Sequence, residues 1–510
     1  MQNAIRSEIK RVSDRVFARK KSRLNTEEDY RERFEKRTGI EAGLPPDSGL
    51  GPVNRHFDPK YCKRNANFLA KTIWHKVISG QYAPQPALNF FIDKEDGTKR
   101  SLMAFSIPDT ALANILMRRL RERNIKRFSP HSFAYHPDKN IFDAILDLRS
   151  FIMDTDKIYS VQIDFKNYFD SIPSTYLLRL LDNPELFSLT PSEKKVLREF
   201  IFHKYAQRGA YEKGEFLSRW RGTPQGSSIS LILANLANHS LDTALEKLPG
   251  KFVRFADDVT ALCESYEDAI KIERCFFEHC HRTGIEMNRK KSPGIAVLAN
   301  KEAEIRTVDH IDYLGYRFTE NGLILSDKTV LRIKAKISKM VSVYLTHYIS
   351  NAGFNHYRVG VAGRYDWDLL GLISEIRNYL YGGLYEGEIG AMMKSGKKLR
   401  KMKGLMSFYA LLDDKERLKH LDGWLAGVIE RAMRKRNAIL NDKYNLAGLT
   451  PSSESLIRGD WLNLDAWKGD QKPEVRLPSF VRGWRAARKY YLTFGLKDVE
   501  PPKYGYQYKG

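Results

Sequence analysis

The sequence predicts an α+β protein. Short β-rich runs bounded by turn signals recur as far as residue 325. Stretches with apolar residues at helical spacing fill the intervals between them. Beyond residue 327 the pattern is mostly helical and strongly basic, up to about residue 440. No internal repeat interrupts this order.

Taken along the chain, residues 1–53 are apolar-poor and end in GLPPDSGLGP, which reads as a helical or partly mobile arm and a Pro/Gly linker. LNFFIDKEDGTKRSLMAF reads as a hairpin with Asp96-Gly97 as its turn. Asp109 is expected to open the helix TALANILMRRLRERNIKRF. IYSVQIDFK (158–166) reads as a buried strand, and 171–181 as a helix capped by Ser171 or Ser174. Residues 228–248 read as one long helix ending before Pro249-Gly250. KFVRFA and VTALCE flank Asp257-Asp258 as a second hairpin, 266–283 return to helix, and 311–325 form a strand pair.

Composition narrows the function. A chain of 510 residues allows roughly three domains or one multi-lobed enzyme. Hydrophobic residues at 42% and charged residues at 29% fit globular folding. No apolar run approaches the roughly 18 residues of a membrane span. The start, MQNAIRSEIKRVSDRVFARKK, lacks the apolar core of a secretory signal. A cytoplasmic protein without membrane contact is therefore expected, and four cysteines suit a reducing compartment. Lys+Arg number 85 against 62 Asp+Glu, a net charge of +23. That surplus points to a polyanionic partner, nucleic acid first, with a basic but ordinary enzyme as the alternative.

Three carboxylates carry the chemistry. Asp164 lies at the end of an apolar strand, and Asp257 and Asp258 at a hairpin tip. Carboxylates on strand ends suit hard divalent cations, which take oxygen ligands and leave positions for water and phosphate. Two such ions about 4 Å apart serve phosphoryl transfer. An isolated Asp-Asp pair reads first as a solvated hairpin tip, so the surrounding strings decide. QIDFKNYFDSI (162–172), GTPQGSSISLILANL (222–236), RFADDVTAL (254–262), GIEMNRKKS (284–292) and YLGYRF (313–318) follow in that order. Together they resemble palm motifs A to E of reverse transcriptases. DGTKRSLMAFSIPD (96–109) and SFAYHPDKNIFDAI (132–145) resemble the preceding fingers segments, so the resemblance covers roughly 90–340.

The resemblance implies a right-hand polymerase with an N-terminal arm (1–53), fingers (54–157), a palm with an antiparallel sheet (158–325, with a fingers insertion about 190–225), a helical thumb (326–440) and a helical C-terminal extension (441–510). It makes Asp164, Asp257 and Asp258 the catalytic ligands of two Mg²⁺ ions, with Mn²⁺ as a substitute, and dNTPs the substrates. Lys99 and Arg100 would meet the triphosphate; an exposed hairpin edge is their other reading. Phe169 matches the steric gate that excludes a ribose 2′-hydroxyl, or else is a core aromatic. Gln225 and Gly226 match the pair along the template and incoming base, or else form a turn before a helix. Lys291 matches the proton donor to pyrophosphate, with Lys290 as its rival. Tyr313, Leu314 and Gly315 match the primer-grip turn. Two departures stand out: Ser230-Leu231 where many bacterial relatives have Ser-Pro, and His136 where many carry arginine. FADD and Phe169 favour DNA synthesis over RNA synthesis.

Cys275, His279, Cys280 and His281 lack zinc spacing and read as a packed helix. The runs KSGKKLRKMKG (394–404) and RAMRKR (431–436), with Arg482, Arg485, Arg488 and Lys489 on one helical face, suit a phosphate backbone or a solvated surface. Tyr504, Tyr506 and Tyr508 of the tail PPKYGYQYKG are candidate protein-priming hydroxyls; a tail that docks by its rings is the alternative. Integrase, protease, RNase H and HNH patterns and the retron Val-Thr-Gly triplet are absent from the sequence. The arm and the extension resemble bacterial defence-associated reverse transcriptases of the unknown groups, with defence type nine a candidate. That implies an antiphage role, a dedicated non-coding RNA as template and cDNA as product. The other readings are a group II intron maturase-like enzyme and an RNA-binding scaffold with a vestigial palm. A homo-oligomer is compatible with the sequence and not demonstrated by it.

Overall fold

The computed structural model describes residues 1–43, 51–93, 97, 99–136, 138–155, 157–299, 306–361, 365–398, 402–465, 467 and 472–495. The chain divides into two units, one drawn from residues 1–24 and 46–311, the other from 25–45 and 312–507. Both mix or segregate helix and strand as the α+β expectation requires.

The first unit opens with α1 (Gln2–Thr38), whose residues to Leu24 belong to it. Helices α2 (Pro59–Arg64) and α3 (Ala66–Ile78) precede the hairpin of β1 (Ala87–Asp93) and β2 (Lys99–Ala104). Then come α4 (Ile107–Asn124), α5 (Ile141–Met153), β3 (Ile158–Asp164), α6 (Tyr168–Ser171), α7 (Ser174–Leu181), α8 (Pro191–Ile201), β4 (Lys204–Ala206), α9 (Arg208–Lys213) and β5 (Leu217–Ser218). Helices α10 (Ile229–Ala237) and α11 (His239–Leu245), the hairpin β6 (Lys251–Phe255) and β7 (Asp258–Cys263), α12 (Tyr266–Thr283), β8 (Gly294–Leu298) and β9 (Thr307–Val308) complete it. One sheet has the order β2-β1-β4-β5, the other β6-β7-β3-β8-β9. In the second sheet β3 is central and antiparallel to β7 and β8, which buries Val161 and Ile163 completely or nearly so. One continuous apolar core runs from Ile5, Ile9 and Val12 of α1 through α3, α4 and α10 to Val297.

Four local expectations are corrected. The cap of α4 is Ser106, not Asp109. Asp109 is buried at the third helical position, where it accepts from Ser106, Tyr82 Oη (2.8 Å) and the Gln85 N–H (2.9 Å). Pro173 precedes α7, so neither Ser171 nor Ser174 caps it; the Ser174 hydroxyl donates to the Trp220 carbonyl instead. The long helix over 228–248 breaks at Asn238, a buried residue whose side-chain oxygen lies 3.2 Å from His279 Nε2. An asparagine with its own partner competes with the helix ladder. The strand pair at 311–325 is a three-stranded meander.

The arm is docked by more than its apolar face. Glu8, almost fully buried, accepts from Arg11 Nε (2.9 Å), Asn114 Nδ2 (2.9 Å) and Arg118 Nη2 (3.1 Å). Burial raises its pKa, but the bonds to Arg11, Arg118 and Asn114 outweigh that and hold it down at about 2. A depressed carboxylate contributes stability above its ordinary pKa and loses it as the pH falls through the folded value. We therefore expect Glu8→Gln to lower stability at neutral pH by up to roughly 3 kcal/mol. The difference from the parent should close as the pH drops from near 4.5 toward 2. Thermal midpoints across that range check it, and a pH-independent gap would sink it.

From Asp312 onward the second unit holds the meander of β10 (Ile311–Tyr313), β11 (Tyr316–Thr319) and β12 (Gly322–Leu325). It continues through α13 (Asp327–Val341), α14 (His347–Asn351), α15 (Trp367–Tyr381), α16 (Glu386–Ser395), α17 (Leu405–Phe408), α18 (Glu416–Tyr444), α19 (Ser453–Arg458) and α20 (Phe480–Phe494). Asp422 of α18 accepts from the Ser479 hydroxyl and the Phe480 N–H, both at 2.6 Å, and so anchors the start of α20. That docking corrects the open cationic face expected there. Arg482 pairs with Glu386, Arg488 with Asp413 and the Leu412 carbonyl, and Lys489 with the Met393 carbonyl; Arg485 remains exposed. In RAMRKR, Arg434 pairs with Glu430, and Arg436 is buried against Asp366 at 3.0 Å. Among the described residues, no helix is long and apolar enough to cross a membrane.

Candidate active site

Pairing of β3 with β7 sets Asp164 directly opposite Asp258. Opposed residues of an antiparallel pair hold their Cβ atoms roughly 5 Å apart on one face. Phe255 pairs with Asp258 across a two-residue turn, which leaves Ala256 and Asp257 at the tip. Ala256 has φ 63°. This left-handed conformation costs a non-glycine residue about 1 kcal/mol, so its surroundings must hold it.

Arg254 does so. It is fully buried, forks onto Asp242 (Nε 2.7 Å, Nη2 2.5 Å), and donates through Nη1 to the Asn235 side chain and the Ala256 carbonyl, both at 3.0 Å. Its own backbone exchanges bonds with the His131 carbonyl and the Phe133 N–H. Sequence reasoning passed over this residue. Its one signal was an arginine inside the otherwise apolar run KFVRFA.

Asp164 is held from the other side. Asn288 Nδ2 donates to Asp164 Oδ2 at 3.1 Å, the Asn288 N–H donates to the Asp164 carbonyl at 2.8 Å, and the Asp164 N–H donates to Ser292 Oγ at 3.1 Å. Asn288 and Ser292 frame the lysines of GIEMNRKKS and were not singled out. Lys291, largely exposed, reaches within 4.0 Å of Asp164 Oδ2. Burial pushes the Asp257 carboxyl above the usual carboxylate range and the Asp164 charge adds to this; its own backbone N–H, Arg100 and Lys291 pull the other way. The tip is thus a pair of mutually repelling carboxylates with two cations in electrostatic reach.

Phe169 follows Asn167, which takes φ 45° to start α6. Its ring is 5% exposed, inside the core and edge-on to Tyr168, so it sits as a packed aromatic. Its carbonyl accepts from both the N–H (2.7 Å) and the hydroxyl (3.2 Å) of Thr223. Thr223 opens the turn that carries Gln225 and Gly226. Gln225 is buried, its carbonyl accepts from the Met103 N–H at 3.1 Å, and its side-chain Oε1 has no partner among the described residues. Gly226 has φ 100°, and a Cβ there would stand 1.9 Å from the Met103 carbonyl oxygen. Met103 lies on β2, the strand that exposes Lys99 and Arg100 at its start. One turn thus joins Phe169 to the strand of the two cations.

Gly226→Ala should therefore displace β2 or the turn, with a loss of several kcal/mol. Chemical denaturation of the variant measures it, and a parent-like midpoint would show that the contact yields freely.

The remaining expected residues belong to other elements. Tyr313, Leu314 and Gly315 lie in the meander of the second unit, where Leu314 (φ 50°) and Gly315 (φ 85°) make the turn from β10 to β11. The Gly315 carbonyl accepts from the Thr329 hydroxyl at 3.0 Å. Tyr504, Tyr506 and Tyr508 lie outside the described residues. His279 of the Cys/His cluster is buried, pushed down to about 3 by that burial, and shared between Asn238 and Ser240. Among the described residues, no group of three or more His, Cys, Asp or Glu is gathered as a metal-ligand set. Asp164, Asp257 and Asp258 offer carboxylate oxygens of the kind that hard cations take as ligands.

Residues 92–318 match the family described as reverse transcriptase (RNA-dependent DNA polymerase). The chain is 30% identical over 182 residues to an uncharacterized 91 kDa protein in the cob intron of Schizosaccharomyces pombe, 35% of this chain and 21% of that one. It is 25% identical over 185 residues to the group II intron-encoded protein LtrA of Lactococcus lactis, 36% of this chain and 29% of LtrA. The chain thus spans less than a third of the length of these two relatives. Among solved structures it is similar to a telomerase from Candida albicans in complex with a fragment of telomeric RNA. That likeness has a TM-score of 0.38 and 12% identity, over 74% of this chain and 66% of that one.

Proposed function

We propose that this chain, whose residues 92–318 match the reverse transcriptase family, is an RNA-directed DNA polymerase of the right-hand fold that copies a partner non-coding RNA into cDNA in antiphage defence. The observation that carries the polymerase reading is the register of β3 and β7. It opposes Asp164 to Asp258, beside Asp257 at the tip and with Lys291 at 4.0 Å. In this reading residues 54–157 are fingers, 158–325 palm and 326–440 thumb.

The carboxylates fit divalent ions. Asp257 is half-buried, raised by burial and by Asp164, and a cation there would offset both effects. Two Mg²⁺ ions, held by Asp164, Asp257 and Asp258, would activate a primer hydroxyl and neutralise the departing pyrophosphate. The chain's own groups do the rest. Lys99 and Arg100 neutralise the triphosphate, Lys291 donates a proton to the leaving group, and Gly226 lets the backbone approach the incoming nucleotide. Tyr313, Leu314 and Gly315 serve as primer grip, and Tyr504, Tyr506 and Tyr508 remain candidate primers.

The test is polymerisation by purified protein with Mg²⁺ and either dNTPs or NTPs, with co-purified RNA retained and sequenced. DNA product dependent on Asp257 and Asp258 supports the enzyme, and one recurrent bound RNA supports a dedicated template. Phage plaque counts on cells with and without the gene test the defence role, and equal counts would remove it. Phe169→Val should raise ribonucleotide over deoxyribonucleotide use by roughly 10- to 100-fold if the ring acts as a gate. An unchanged ratio would leave Phe169 a core aromatic only.

The similarity to LtrA favours a second reading, a group II intron maturase-like enzyme. Intron RNA as the co-purified species would select it.

A further inference from the structure

The arm carries a dense run of exposed positive charge. Residues 1–24 hold eight Lys and Arg and two acids, Glu8 and Asp14. Both acids are engaged, Glu8 by Arg11 and Arg118 and Asp14 by Lys63 at 2.6 Å. Ile5, Ile9 and Val12 face the core, and from Phe17 to Leu24 every residue is exposed. Between residues 15 and 26 there is no acid, while Arg15, Arg19, Lys20, Lys21 and Arg23 are all cationic.

Arg11, Arg15, Arg19 and Arg23 recur every fourth residue on α1. At a rise of 1.5 Å per residue they stand roughly 6 Å apart along one side of the helix. Like charges at this spacing repel and cost the helix about 0.2–0.5 kcal/mol per pair. Arg15 registers the crowding: burial lowers its pKa, and Arg11, Arg19 and Arg118 lower it further. A run of exposed like charges on one helix gains stability from a polyanion laid along it.

We propose that the arginine ladder of α1, centred on Arg15 and Arg19, binds the phosphate backbone of a structured RNA outside the polymerising site. Guanidinium groups suit this because each grips a phosphate with paired N–H donors. The exposed stretch has only Phe17 and Leu24 as large apolar residues, too few for a membrane-surface helix. The choice of RNA over DNA rests on the polymerase reading. The ladder itself does not.

The probe is a blunt RNA hairpin, bound to the full-length chain without dNTPs or added metal, by fluorescence anisotropy across a salt series. Arg15→Gln with Arg19→Gln should weaken binding several-fold and flatten the slope of log affinity against log salt by about 2. Arg15→Lys with Arg19→Lys should keep the slope. Primer extension on a short oligonucleotide should be unchanged in both. An unaltered slope overturns the site, and an equal loss on a DNA duplex of the same length overturns the assignment to RNA. Should the glutamine pair melt early, Arg19→Gln with Arg23→Gln reads the same slope from two exposed rungs. Because binding is read without synthesis, failure of the polymerase reading leaves this result interpretable.

Discussion

Asp257→Ala with Asp258→Ala is expected to cut nucleotide incorporation by at least roughly 1,000-fold, about 4 kcal/mol of lost transition-state stabilisation. The physical argument has two parts. The register of β3 and β7 leaves no other carboxylate opposite Asp164 than Asp258, with Asp257 as its neighbour in the turn. The same arrangement is unfavourable for the fold, because burial and the Asp164 charge both penalise the Asp257 carboxylate. Asp257→Asn alone should therefore lose activity while its melting midpoint stays level or rises. Calorimetry beside a primer-extension assay separates the two effects. Activity within tenfold of the parent would sink the assignment of the metal-binding carboxylates. A lower midpoint would mean that the carboxylate is structural.

Arg254→Met should be the most damaging single change in this unit outside the carboxylates. It strands Asp242 in the core, and removing one partner of a buried pair costs about 3–5 kcal/mol. The melting midpoint should fall on the order of 10 °C. Activity should fall further than stability alone requires, since Ala256 loses the bond that holds its positive φ. Adding Asp242→Leu should restore much of the midpoint and little of the activity. Arg254→Lys should rescue poorly, because one ammonium cannot fork onto Asp242 and also reach Asn235 and the Ala256 carbonyl. A parent-like midpoint for Arg254→Met would contradict the role drawn from its burial.

Much of the carboxylate tip was legible before folding. A hairpin carrying Asp257-Asp258 and a strand ending at Asp164 follow from alternation and turn chemistry, and these are local properties. The strand pairing that brings them together is not local. It depends on β3 lying between β7 and β8, which is decided by burial of both of its faces. The supporting residues were illegible for the same reason. Arg254 matters because Asn235 and Asp242 come from α10 and α11, and Asn288 because its side chain and N–H bond Asp164 from 124 residues away.

The cationic face on α20 shows the converse. Sequence spacing placed Arg482, Arg485, Arg488 and Lys489 together, but packing against α16 and the 412–413 segment supplied partners for three of them. The charge ladder of α1 kept its exposure, because the apolar face that docks that helix ends near Val12 and Val16. By itself, then, the sequence determined the α+β class, the three aspartates and the order of the motifs, since each is written in residue type and spacing. Only the tertiary structure decided which charges are neutralised inside the fold, where Phe169 is packed and what holds the strained turn at Ala256. Those depend on neighbours that are distant in sequence.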